Sequence, residues 1–128
     1  MILLDTCTLL WLAADQSRLS PNAREIILKN AGSLFVSSIS AFEIAIKARN
    51  GKLGLPQEPA RWFANVLKHH GIYEIPISVP IAIQAVMLPL LHNDPCDRFI
   101  IATAIENSQT IVTSDLMIAQ YKEAKVIW

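Results

Sequence analysis

Charge of one sign, a cysteine framework, a membrane-length apolar run, repeats and linkers are all missing from this sequence. Each absence narrows what the chain can be. Lysine and arginine number 11 and so do aspartate and glutamate, so the formal net charge is zero. A balanced chain carries no overall basic footprint for a polyanion. The two cysteines, Cys7 and Cys96, are too few for a disulfide scaffold and fit no zinc spacing. A reducing, cytoplasmic setting is therefore expected. The N-terminus lacks a basic stretch, and Asp5 interrupts its apolar run, so it does not read as a signal peptide. The longest apolar segment, Ile75 to Leu91, contains Pro76, Pro80 and Pro89. It is short for a span of about 20 residues, so it reads as core and no membrane association is expected. Without linkers or low-complexity stretches, residues 1–128 are expected to form a single domain.

What the sequence has in quantity is apolar side chain, 52% of the residues, enough to build a core. So much apolar surface on a short chain also favours a partner or a second copy. Ile2-Leu3-Leu4 reads as a buried strand ending at Asp5, and Thr6 opens an apolar helix through Leu12. Ser20-Pro21 starts a helix to about Asn30, closed by Gly32, and Leu34-Phe35-Val36 is a second strand. Ser38 or Ser40 caps a helix from Ala41 to about Asn50, with Gly51 after it, and Pro59 to His70 is another, closed by Gly71. Tyr73-Glu74-Ile75 is a strand, and Ser78 to about Leu88 is a helix. Asp94-Pro95 begins a helix to about Asn107, and Thr110 to Thr113 is a strand. Asp115 caps a short helix, and Lys125-Val126-Ile127 closes the series as a strand. This alternation predicts an α/β fold with a mainly parallel sheet between helical layers. Ligands of such folds sit beyond the carboxyl ends of the strands.

Four acids fall where that geometry would gather them. Asp5 ends the first strand, Asp115 follows the fourth, Glu43 lies inside the helix after the second, and Asp97 opens the helix after the long loop. Each has a simpler reading when taken alone. Asp115 is a natural N-cap, Asp94 and Asp97 resemble a reciprocal cap, and Glu43 can pair with Lys47 one turn on. Asp5 ends an apolar strand with no base near it in sequence. Brought together, four carboxylates repel one another unless a cation joins them. A hard, oxygen-seeking ion such as Mg²⁺ answers that need, with Mn²⁺ as a substitute. Acid-held metals suit phosphodiester hydrolysis. With four of the eleven acids set aside in a pocket, seven remain against eleven bases, a balance that suits a polyanionic substrate. His69, His70 and His92 are scattered, and they read as loop or helix-end residues rather than ligands.

The ordered set of motifs resembles the PIN-domain endoribonucleases, specifically VapC-type toxins of toxin–antitoxin pairs, over nearly the whole chain. The matching segments are Leu4-Asp5-Thr6, Leu9-Leu10-Trp11, Ser37-Ser38-Ile39-Ser40 and Phe42 to Lys47. They continue with Gly51-Lys52-Leu53, His92 to Arg98, Thr113-Ser114-Asp115 and Val126-Ile127-Trp128. The resemblance implies a three-layer PIN-like fold with a five-stranded sheet, and a metal site made by Asp5, Glu43, Asp97 and Asp115. It also implies that Asp94 supports or caps the site and that Thr6 and Thr113 lie near the metal-bound water. A homodimer and a cognate antitoxin, whose peptide blocks the acidic pocket, are the implied partners, and RNA is the implied substrate. Departures from the usual pattern are Cys7, Phe42 and Cys96 in place of His, Trp and Phe; none removes an acid. Cys7 and Cys96 read as packing thiols ahead of any redox role.

Beyond the acids, Lys47, Lys52 and Arg98 are candidate substrate contacts, with an ion pair to a site acid an equal reading for Lys47 and Arg98. Trp62 and Phe63 read as core or dimer packing before base stacking. A haloacid-dehalogenase phosphatase would need a second Asp where Cys7 stands, and a receiver domain would need adjacent acids after the first strand. Neither is present. An RNA-processing nuclease without an antitoxin and a catalytically silent PIN-fold binding module remain as alternatives.

Overall fold

The computed structural model describes all residues, 1–128. The strands are β1 (Ile2–Leu4), β2 (Leu34–Ser37), β3 (Ile72–Ile75), β4 (Thr110–Val112) and β5 (Lys125–Ile127). The helices are α1 (Thr6–Ala14), α2 (Pro21–Lys29), α3 (Ser38–Arg49), α4 (Pro59–His70), α5 (Val79–Met87), α6 (Pro95–Glu106) and α7 (Leu116–Ala119). A 3₁₀ turn at Gln16–Arg18, which the sequence did not announce, links α1 to α2. The sheet is parallel throughout, in the order β3-β2-β1-β4-β5. Leu4 pairs with both Val36 and Val112, so β1, β2 and β4 end level with one another. This is the expected α/β architecture, a parallel sheet between helices.

Strands of three or four residues make few ladder bonds, so packing on both faces holds the sheet. Side chains alternate along β1. Ile2 and Leu4 point with Leu34, Val36 and Val112 into one core, shared with Leu9, Ile44, Trp62 and Phe63 from α1, α3 and α4. Leu3 and Ile111 point into the other, shared with Ile100, Ile101, Ile118 and Tyr121 from α6, α7 and the turn beyond. Each such buried leucine or isoleucine contributes about 2 kcal/mol through removal from water. Trp62 and Phe63 are core residues, as expected. Gly51 and Gly71 take positive φ, 70° and 62°, just past α3 and α4, a conformation that suits glycine.

Two expectations need correction. The third helix begins at Ser38 and not at Ala41, because Ser37 is its cap and accepts the N–H of Ile39 at 3.1 Å. The segment from Ile75 to Leu91 is only half core. Ile81, Ala85 and Leu88 are buried, whereas Val79, Ile83, Val86, Met87 and Leu90 are largely exposed. Helix α5 packs on α6 by one face and leaves an apolar face uncovered. No helix is long and apolar enough to cross a membrane.

Candidate active site

Strand order reverses between β1 and β4, and the space beyond their carboxyl ends is where such folds bind ligands. Asp5 lies there because it follows β1 and caps α1. Its Oδ1 accepts the Thr8 N–H at 2.8 Å, and its Oδ2 accepts the Thr113 hydroxyl. The side chain is buried, and burial pushes its carboxyl above the usual carboxylate range, with the charge of Asp115 adding to the rise. The hydrogen bonds from Thr113 and Thr8 offset part of this. Thr113 also accepts the Asp115 N–H at 3.0 Å, so one hydroxyl ties the ends of β1 and β4 to the start of α7.

Glu43 reaches the same region from the second turn of α3. Its Oε1 accepts the Thr6 hydroxyl at 2.7 Å, and its Oε2 is 3.6 Å from Lys47 Nζ. The Thr6 proton is directed at Glu43, so Ser40, 2.9 Å away, donates to Thr6. Asp97 stands in the first turn of α6, and Asp94 is the cap of that helix, accepting the Cys96 N–H at 2.9 Å. The reciprocal cap does not form. Asp97 turns instead to His92, whose Nε2 is 2.7 Å from Oδ2. Burial first, then the charges of Asp94 and Glu43, push the Asp97 carboxyl up to about 6, against the pull of His92. Asp115 caps α7, accepts the Met117 N–H at 2.8 Å and holds its Oδ2 3.9 Å from His92 Nε2.

Contacts at the sheet edge run from Asp5 through Thr113 to Asp115 and across His92 to Asp97, while Thr6, beside Asp5, holds Glu43, whose charge acts on Asp97. The tightest donor group within it is His92, Asp97 and Asp115, with ligand atoms within 4.8 Å of one another; Asp5 and Glu43 lie outside that group. His92 therefore corrects the reading that set the three histidines aside. His69 and His70 do end α4, but His92 is a pocket residue. Its position five residues ahead of Asp97 gave no signal by itself, because the turn between them decides where the ring lies.

The bases divide differently from expectation. Lys47 and Lys52 line a cleft of about 250 Å³ together with Glu43, Asp94 and Cys96, Lys52 being exposed. Arg98 is not available to a phosphate. It is buried, and its guanidinium donates to the carbonyls of Val86, Leu88, Pro89 and His92 and to the Tyr121 hydroxyl. Both cysteines are free thiols, but Cys7 is exposed at the pocket and Cys96 half-buried, so neither is a fully packed core thiol. Burial and the surrounding acids push both thiols upward, Cys96 to about 11.

A donor set of carboxylates, two of them held above their usual range by burial and mutual repulsion, fits a hard divalent cation. Residues 2–124 match the PIN-domain family, and the chain belongs to that family. Within it the chain is of the VapC type. It is 32% identical over 127 residues to ribonuclease VapC22 of Mycobacterium tuberculosis, covering 98% of this chain and 95% of that relative. The fold also superposes on a chain of the VapBC2 complex of Rickettsia felis, with a TM-score of 0.74 at 16% identity, covering 99% of this chain and 98% of the other. The corresponding values for VapBC of Salmonella typhimurium are 0.70 and 18%, covering 98% and 96%.

Proposed function

We propose that this protein is a divalent-metal-dependent endoribonuclease, the toxin of a toxin–antitoxin pair, with Asp5, Glu43, Asp97 and Asp115 as its catalytic, metal-holding acids. What supports the reading is a set of acids from separate segments at one sheet edge: Asp97 and Asp115 offer ligand atoms within 4.8 Å, and the charges of Asp115 and Glu43 act on Asp5 and Asp97. Kinship to a VapC ribonuclease and likeness to VapBC assemblies support RNA as substrate and an antitoxin as partner. Mg²⁺ is the expected ion and Mn²⁺ its substitute; when bound, such an ion activates water and stabilises developing charge during phosphodiester hydrolysis.

The chain's own groups supply the rest. Asp97 and Asp115 offer carboxylate oxygens within 4.8 Å of one another, and Asp5 forms the buried floor, fixed by Thr8 and Thr113. Thr6 orients Glu43, and Asp94 holds the first turn of α6 in place beneath Asp97. Lys47 and Lys52 give the cleft its positive flank, suited to the RNA backbone. Exposed Phe42 and Ile46 make the same cleft apolar enough to take an antitoxin peptide. The uncovered face of α5 supports a homodimer, and a cytoplasmic setting accords with the free thiols.

The test is RNA cleavage by purified protein with Mg²⁺. Asp5→Ala is expected to lower the rate at least about 100-fold, the scale on which one charged group of a preorganised site acts. A variant that stays folded by circular dichroism and still cleaves at the parental rate would remove Asp5 from the mechanism.

A further inference from the structure

His92 sits on the loop between α5 and α6 with its ring set between two carboxylates. Nε2 is 2.7 Å from Asp97 Oδ2 and 3.9 Å from Asp115 Oδ2. Nδ1 is 3.4 Å from the backbone nitrogen of Asp94. That nitrogen bears a hydrogen, so Nδ1 accepts. In a neutral imidazole the other nitrogen then carries the proton, and Nε2–H donates to Asp97 Oδ2. A ring nitrogen that holds a proton has no lone pair for a cation. The spacing of His92, Asp97 and Asp115 would by itself allow all three to be ligands. The hydrogen bonding gives His92 a different part.

The ring is also anchored from behind. The His92 N–H donates to the Tyr121 hydroxyl at 2.9 Å, and its carbonyl accepts from Arg98 at 3.2 Å. Arg98 and Tyr121 are both buried, so the loop that carries the ring is fixed by the core and not by the pocket.

We propose that His92 is a positioning residue of the metal site, donating Nε2–H to Asp97 Oδ2 so that the other oxygen of that carboxylate is presented to the cation. The proposal rests on the metal-dependent reading above. A hydrogen-bond partner of a ligating group typically changes metal affinity about 10–100-fold when removed.

Mn²⁺ alone serves as the probe. Its binding is followed at fixed pH by electron paramagnetic resonance for the full-length protein, His92→Ala and His92→Gln, with thermal melts to identify folded variants. Pulsed spectra of Mn²⁺ on the parental protein report directly bonded nitrogen. Expected are saturable binding without a directly bonded ¹⁴N coupling, affinity about 10–100-fold weaker in His92→Ala, and partial recovery in His92→Gln, whose amide restores an N–H. A directly bonded nitrogen in the parental spectrum would make His92 a ligand and overturn the positioning role. Equal affinity in the parental protein and a folded variant would overturn it as well. Absence of saturable Mn²⁺ binding by the parental protein would remove the metal reading itself, and this inference with it.

Discussion

Asp97 carries an uncomfortable charge in the pocket. Its carboxyl has risen to about 6 from an ordinary value of 3.8, through burial and through Asp94 and Glu43. The folded state therefore holds this proton more tightly than the unfolded chain does. Stability from the protonated group is fully present below pH 3.8 and is lost as pH rises through about 6. Metal-free protein should thus lose ground to Asp97→Asn between pH 4 and 7, read as a widening gap between the two melting temperatures. A gap that stays constant over that range would mean the carboxyl is not strained. The neighbouring residue teaches the opposite lesson. Arg98 stands next to an acid in sequence and so looks like a site base, yet successive helical residues point about 100° apart. That rotation carries Arg98 into the core, where it binds the carbonyls of the loop before α6.

At the scale of elements, Arg98 is the fastener between α5, the loop beyond it and α6. Arg98→Ala leaves several carbonyls without a donor and should cost roughly 3 kcal/mol or more, or about 10 °C in melting temperature. Lys52→Ala on the exposed cleft rim should stay within about 0.5 kcal/mol. Comparable melts of the two variants would show that the buried network is not structural. Most elements were legible because their punctuation is strong: Ser20-Pro21, Ser78 and Asp94-Pro95 do start helices, and Gly71 ends one. Where punctuation is redundant, sequence cannot choose. Ser38 and Ser40 both look like caps, yet the cap is Ser37. Tertiary contacts assign them: Ser37 caps α3, Ser38 accepts the Ile77 N–H beside β3, and Ser40 donates to Thr6 in the pocket.

Across the whole molecule, the alternation of apolar strands and helices revealed the fold class, and Asp5, Asp97 and Asp115 stood out as candidates because each follows a strand or opens a helix, while Glu43, inside a helix, stood out only in their company. Two things were not legible. An apolar helix face has the same composition whether a core or another subunit covers it, so the exposed side of α5 read as interior. The place of His92 depends on how a turn folds back over α6, which spacing alone does not encode. Both lead to measurements. The uncovered Val79, Ile83, Val86 and Leu90 predict self-association, so sedimentation should find a dimer that Val86→Glu weakens. Saturating Mg²⁺ should raise the melting temperature at neutral pH by an amount equivalent to about 2.7 kcal/mol at 100 times the dissociation constant, and chelation should reverse it. No shift with ion would contradict the acid pocket as a binding centre. One last consequence comes from the bond between Thr113 and Asp5, partners 108 positions apart along the chain. The strand that bears the first acid and its neighbour β4 are joined through this long-range pairing. Parting β1 from β4 therefore frees the hydroxyl that holds the Asp5 carboxyl, so the floor of the pocket is only as durable as the pairing at the centre of the sheet.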